Sequence, residues 1–350
     1  MNFQTRNLRI KRKKSGTFKI FLLLGVIFIL GAFFYIPTLA HPIDENDSSV
    51  VNFDVKLGQG LKKVSENLKD EGLIKSSYFF IYLANKEGLE EDLKAGRFEL
   101  SKSYDAKKMI QTLKSTPKLS VVTIQEGLRI KDIDKRLKDL GLSNEGDFIK
   151  ATQNFNGYSY YTYLNEGQNL EGFLFPDTYY FDPVTFKPEK FIYDSMDNFE
   201  KKLNLKTKES GEKTLFEAIK SSGRSLNEII IMASIIEKEV FGEKDRKMVS
   251  GILWKRLDSG WFIGADATLL YEKDDNKITK QDLEKDSPYN TRNKKGLPPT
   301  AISNPSLESI IAAIFPIESE YWYYLNALDT GETIYAKTNE EHNLNRAKHL

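Results

Sequence analysis

The side chains able to do acid–base chemistry are few in kind. The 350-residue chain has no cysteine, which removes thiolate metal sites and any disulfide framework. Its three histidines, His41, His342 and His349, are too few and too scattered for a zinc peptidase or a Ser-His-Asp hydrolase. Acid–base work must therefore fall to carboxylates. Glu237 has the most telling surroundings, because it is the first charge after Ile229–Ile236, a run that is apolar on every face apart from small Ala233 and Ser234. At about 100° per residue it lies above Ile230 and beside Ala233, with Val240 and Phe241 one turn on. An apolar rim disfavours the charged carboxylate, and a carboxyl kept neutral at the mouth of a core is what a general acid requires. Glu239 points roughly the opposite way, so the two are not a facing pair. Taken alone, the stretch fits better a residue that merely marks a helix's exit from the core. The catalytic reading requires a carboxyl that faces a groove and is not locked by an arginine.

The element positioning Glu237 is marked at its start, where Ser225 and Glu228 form a capping-box pattern, and Ser225–Phe241 reads as a helix buried on all sides. Upstream, Leu170–Tyr179 reads as an aromatic-aliphatic strand with Gly172 and Pro176 near its ends, followed by helices at Pro188–Leu203 and Thr214–Ser221. Residues 154–168 read as an exposed loop whose tyrosines could stack on sugars or pack at a domain seam. Downstream, Arg246–Leu257 is an amphipathic helix and Asp266–Tyr271 is short and strand-like. Ser287–Arg292 and Gly296–Thr300 form a turn-dense loop too long for mere connection. Leu307–Ile314 reads as a helix, Tyr321–Leu325 and Thr333–Ala336 as strands, with a helix at the end.

The composition, 40% hydrophobic and 29% charged, is ordinary for a globular protein, and the length suits two domains. Arg6, Arg9, Lys11, Arg12, Lys13, Lys14 and Lys19 precede any acid; without these the chain holds 44 basic against 50 acidic side chains, so nothing beyond the tail resembles a nucleic-acid face. No charged side chain occurs from Ile20 to Ile43. This predicts a cytoplasmic basic tail (residues 1–17), a transmembrane helix (18–40) and a linker (41–50), with the remainder outside. A cleaved signal peptide ending near Thr38-Leu39-Ala40 is the competing reading, disfavoured by the length of the apolar run.

Beyond the linker the sequence repeats at an offset of 69: Gly58, Leu61, Val64, Leu68, Gly72 and Leu73 answer to Gly127, Ile130, Ile133, Leu137, Gly141 and Leu142. Each copy reads as a strand, a Gly turn and two helices. Residues 51–118, closed by a return strand at Gly96–Leu100 and a helix at Ala106–Leu113, resemble the LysM-like fold of cell-wall binding modules. A structural cap on the following domain, residues 119–350, fits equally. The expected class is α+β.

Two pairs of motifs are decoys. Asp258-Ser259-Gly260 and Asp329-Thr330-Gly331 match the aspartic-peptidase triplet, but the long all-β stretches of such a peptidase are missing. Ser115-x-x-Lys118 and Ser210-x-x-Lys213 match S-x-x-K without the accompanying S-D-N or K-T-G.

A set of ordered blocks is more specific. Thr123–Gly127, Leu170–Tyr179, Ala233-Ser234-Ile235-Ile236-Glu237-Lys238-Glu239, Asp266-x-Thr268, Pro288–Thr291, Gly296–Pro299, Asn304-Pro305 and Glu341-His342-Asn343 resemble, in order, the endolytic murein transglycosylase (YceG-like) family. The resemblance implies cleavage of the β-1,4 bond between N-acetylmuramic acid and N-acetylglucosamine, leaving a 1,6-anhydro end and terminating strand growth. It implies no metal or organic cofactor, peptidoglycan strands as substrate, and penicillin-binding synthases as partners. We read the family's catalytic glutamate as the first of the A-S-I-I-E-K-E block, Glu237. Glu171 and Asp177 are candidates for a second acid, although Glu171 could equally cap a turn. Asp266, Thr268, Tyr289, Asn290 and Thr291 are candidates for holding sugar hydroxyls and acetamides, or for stabilising turns. Lys255 and Gly264 replace the Asn and Gln usual in the family, which affects subsites rather than the reaction. The rival from another class is a non-catalytic, membrane-anchored peptidoglycan-binding or scaffold protein.

Overall fold

The computed structural model describes residues 16–275, 277–328 and 330–350. Arg6 to Lys14 of the expected tail, and Asp329 of the second aspartic triplet, lie outside them. The fold is mixed α+β, with helices predominating and three two-stranded antiparallel sheets among the described residues. It opens with α1 (Gly16–Thr38), of which Ile20–Thr38 is long and apolar enough to cross a bilayer. The chain divides into two compact units, one ending at Leu119 and one running from Ser120 to Leu350.

In the first unit, β1 (Val51–Val55) leads to α2 (Leu61–Asp70), α3 (Ser77–Lys86) and the single turn α4 (Leu89–Asp92), then to β2 (Gly96–Leu100) and α5 (Ala106–Lys114). β1 and β2 pair antiparallel, Val51 opposite Leu100 and Val55 opposite Gly96. Alternation sends Phe53, Val55, Phe98 and Leu100 inward, where they meet Leu61, Val64 and Leu68 from one stripe of α2 and Met109 and Leu113 from α5.

The second unit runs β3 (Ser120–Thr123), α6 (Ile130–Asp139), α7 (Asp147–Gln153), β4 (Thr178–Phe181), α8 (Pro188–Leu203), α9 (Leu215–Ser222), α10 (Leu226–Glu239), α11 (Glu243–Asp258), α12 (Asp266–Leu270), α13 (Lys280–Glu284), α14 (Leu307–Ile314), β5 (Tyr323–Asn326), β6 (Thr333–Ala336) and α15 (Asn339–His349). β3 pairs with β4 and β5 with β6.

The repeat survives in detail at the ends of α2 and α6. Gly72 (φ 68°) donates to Lys69 O and Leu73 to Leu68 O, while Gly141 (φ 67°) donates to Lys138 O and Leu142 to Leu137 O. Both are left-handed glycine stops that satisfy the last carbonyls of a helix.

Two expectations are corrected. Asp266–Tyr271 is not a strand but the helix α12, because five or six residues carry too little periodicity to separate the two; Asp266 lies in its first turn, where an acid is favoured. In Leu170–Tyr179 only Thr178 onward is strand. Leu170 to Pro176 is buried throughout, and Gly172 N and Leu174 N (3.1 and 3.0 Å) donate to the Oδ1 of fully buried Asn304 instead of to a ladder.

Gly172 (φ 90°) brings this segment against α10: a Cβ there would lie 2.5 Å from Ala301 Cβ and 2.7 Å from Ile230 Cγ2. Gly172→Ala combines left-handed strain with overpacking and is expected to cost about 3 kcal/mol, read as a lower denaturation midpoint at unchanged m-value.

Candidate active site

The capping box predicted for α10 forms: Ser225 N donates to Glu228 Oε2 (2.8 Å) and Glu228 N to Ser225 Oγ (3.2 Å). Leu226 and every residue from Ile229 to Glu237 are buried, with α9, α11, α12 and α14 packed around the helix. Its last turn sends the two glutamates into two different clefts.

Glu237 lines a cleft of about 470 Å³ with Glu126, Gly127, Lys238, Phe241, Arg246 and Ser306. The apolar rim expected around it is absent. Its Oε2 accepts from both the backbone N (2.8 Å) and the hydroxyl of Ser306, the N-cap of α14, and its Oε1 lies 3.4 Å from Arg246 Nη2. That arginine contact is single and long, not the bidentate lock that would exclude a catalytic role. Both oxygens are nonetheless engaged, and Glu237 holds the start of α14. The cause is tertiary: Ser306 and Arg246, from other elements, converge on the end of α10.

Glu239 reaches a larger cleft of about 790 Å³, walled by Trp261, Phe262, Asp266, Arg292, Tyr324 and His342 among others. The Tyr324 hydroxyl donates to its Oε2 (2.9 Å), and Asn326 Nδ2 donates to its backbone O (2.7 Å). Burial pushes its carboxyl above the ordinary value, and the Tyr324 and Ala267 hydrogen bonds draw it partly back. Arg256 ties the wall together, donating from Nη1 to Ile263 O (2.6 Å) and from Nε to Trp322 O (2.8 Å). Trp261 lies on Trp322 with centroids 4.4 Å apart and stays 44% exposed, leaving an aromatic surface open to a ligand. The His342 ring stacks on Tyr323 (5.2 Å), and its Nδ1 is buried without a hydrogen-bond partner among the described residues. Burial lowers its pKa, favouring the neutral imidazole.

Of the remaining candidates, only Asp266 reaches this cleft, where its Oδ1 accepts from Arg292 Nε (2.5 Å). Thr268 and Thr291 are buried behind it, their hydroxyls 2.9 Å apart, and Thr291 Oγ1 accepts from Ala265 N (3.1 Å). Asn290, also buried, spends its amide on Leu283 O and Lys285 O (3.0 and 2.9 Å). These three build the wall instead of touching its contents. Tyr289 bonds Thr300 and packs on Tyr271 (4.8 Å). Asp177 accepts from Asn198 at the start of β4 (2.9 Å) and lines neither glutamate's cleft. Of the departures from the family, Gly264 lines the Glu239 cleft, whereas Lys255 spends its ammonium on Ser319 O (2.8 Å). Glu239, Arg256, Arg292, Tyr324 and Trp261, which line the larger cleft, were not among the residues singled out from the sequence as candidates. Position within the A-S-I-I-E-K-E and Glu341-His342-Asn343 blocks was the available signal for Glu239 and His342.

Glu171 sits apart, in a cavity of about 440 Å³. It accepts from Ile130 N, at the start of α6 (3.0 and 3.2 Å), and from the Tyr271 hydroxyl (3.2 Å), and burial pushes its carboxyl up to about 8. A folded-state value above the unfolded one means that the folded protein holds the proton more tightly. Stability is therefore expected to fall as pH rises from about 4.5 to about 8. Glu171→Gln should flatten that slope in thermal melts taken across the same range.

A family model described as "YceG-like family" matches residues 53–348. The endolytic murein transglycosylase of Bacillus subtilis (strain 168) is 30% identical over 340 residues, 93% of this chain and 91% of the relative. That of Streptococcus pneumoniae (strain ATCC BAA-255 / R6) is 26% identical over 371 residues, 94% of this chain and 64% of the relative. A crystal structure of a yceG-like protein from Listeria monocytogenes, 27% identical, superposes with a TM-score of 0.59 over 85% of this chain and 99% of that one. With the motif blocks in order and the family matched over most of its length, this chain belongs to the YceG-like family.

Proposed function

We propose that the protein is a membrane-anchored endolytic murein transglycosylase, and that Glu239, not Glu237, is its acid and base. The observation carrying the assignment is convergence: Glu239, Asp266, Arg292, His342 and Asn343, from separate stretches of sequence, line one cleft, while Glu237 is spent on the N-cap of α14. The names borne by the relatives support the reaction class.

Glycosidases ordinarily need two carboxyl groups. A lytic cleavage needs one. Protonated Glu239 donates to the oxygen linking muramic acid C1 to the next sugar, and the C1–O bond breaks. The muramic acid C6 hydroxyl oxygen bonds to C1, and the Glu239 carboxylate takes that hydroxyl's proton. The products are a 1,6-anhydro end and a new 4-hydroxyl; no water is consumed and the glutamate is restored. The Tyr324 hydroxyl stabilises the carboxylate between the two transfers, and Trp261 offers a face for a sugar ring. In this reading α1 anchors the chain with residues beyond 41 outside, residues 51–118 act as a LysM-like grip on glycan, residues 119–350 cut, and a penicillin-binding synthase supplies the nascent strand.

Incubation of the full chain with un-crosslinked glycan, followed by mass analysis of the products, tests this. Glu239→Gln is expected to lose about 10²–10⁴-fold in rate, and Glu237→Gln to keep cutting with reduced stability. The reverse pattern refutes the assignment, and hydrated reducing ends would make the protein a hydrolase. Because the acid must be protonated to donate, the rate should fall as pH rises through the pKa of Glu239. Tyr324→Phe removes a bond that lowers that pKa, so the alkaline limb of the pH–rate profile should move to higher pH.

A further inference from the structure

The stretch after α1 is not a free tether. Ala106 N, at the start of α5, donates to Ala40 O (2.9 Å), and Lys75 Nζ, just before α3, donates to Thr38 O at the end of α1 (3.1 Å). Asp44 N donates to Lys102 O (3.2 Å), and Ser101 Oγ donates to Asp47 O (2.9 Å). Ala40 packs against the core of the first unit. The starts of α3 and α5 are thereby fixed at the end of α1. Both helices run away from it, and Lys114 at the far end of α5 reaches Glu87 O beyond α3.

Ile20–Thr38 spans about 28 Å as a helix, close to the roughly 30 Å of a bilayer's hydrocarbon, so a spanning α1 puts Thr38 at the hydrocarbon boundary. The headgroup layer beyond is about 5–7 Å deep. Tyr78, in the first turn of α3, follows Lys75 by one turn and is 83% exposed; Ile43 and Val50, on the strap and beside the start of β1, are also exposed. A tyrosine with an apolar ring and a polar tip is the side chain that settles at this depth.

We propose that this end of the first unit, with Tyr78 at its centre, is seated in the lipid headgroup layer, so that the unit is docked on the bilayer and presents its opposite end, the β1–α2 turn and α4, to the wall. The occupant is the bilayer surface itself, because the hydrogen-bonded strap leaves no slack to lift this face away. The inference rests on the reading of α1 as a membrane anchor.

Since the chain has no cysteine, single-cysteine variants take a spin label at one place only. The full chain carrying Phe28→Cys, Tyr78→Cys or Leu57→Cys would be reconstituted in phosphatidylcholine–phosphatidylglycerol vesicles and its collision rates with oxygen and with a water-soluble nickel complex measured. Leu57 matches Tyr78 in exposure but lies beyond the other end of β1. The label at 78 is expected to show an oxygen-to-nickel ratio several-fold above that at 57 and below that at 28. Equal ratios at 78 and 57, with 28 in lipid, overturn the docking alone. A water-exposed label at 28 overturns the anchor, and the docking with it.

Discussion

The second unit depends on a helix whose central run, Ile229–Glu237, has no wet side. α10 is buried at Leu226 and from Ile229 through Glu237, so the rest of the unit must supply apolar surface on every face of that run and a partner for each polar group that surfaces at its end. Beyond the capping Glu228 of the first turn, charge can sit only in the last turn. Its two glutamates, two residues apart and on opposite sides, are drawn into different tasks: Glu237 into holding the start of α14, and Glu239 into a cleft walled by rings and arginines.

The loops around that helix are held by a few buried amide and hydroxyl groups. Asn304 accepts from Gly172 and Leu174 and donates to Leu128 O (2.9 Å), while its backbone bonds Gly127 and Leu128. Ser234, within α10, accepts from Ile302 N (3.0 Å). Three segments remote in sequence are thereby pinned to the helix, and each bond forms away from water, where leaving a partner unpaired is costly. Thr268, Asn290 and Thr291 do the same for the wall that carries Asp266 and Arg292.

Burial raises the carboxyl groups of both Glu171 and Glu239, with different consequences. Glu171 is enclosed by the start of α6 and by Tyr271, so its proton bears on stability. Glu239 opens on a cleft large enough for sugar rings, and its raised carboxyl suits proton donation.

Much of the architecture was legible in the residue order. Helix limits at α8 and α14, strands β1, β2 and β6, the capping box of α10 and the internal repeat follow from periodicity, caps and turn glycines, all local properties of the chain. Asp266–Leu270 and Leu170–Asp177 were misread because short apolar stretches take their conformation from what they pack against. Sequence by itself determined that carboxylates would stand where the apolar run Ile229–Ile236 of α10 ends, and that the family blocks would carry further polar groups elsewhere in the chain. Which glutamate faces the larger, aromatic-walled cleft was decided only in three dimensions. Helical geometry sends the two side chains to opposite sides, but which side holds a helix N-cap and which holds an aromatic cleft depends on Ser306, Arg246, Tyr324 and Asp266, whose contacts with α10 no local pattern encodes.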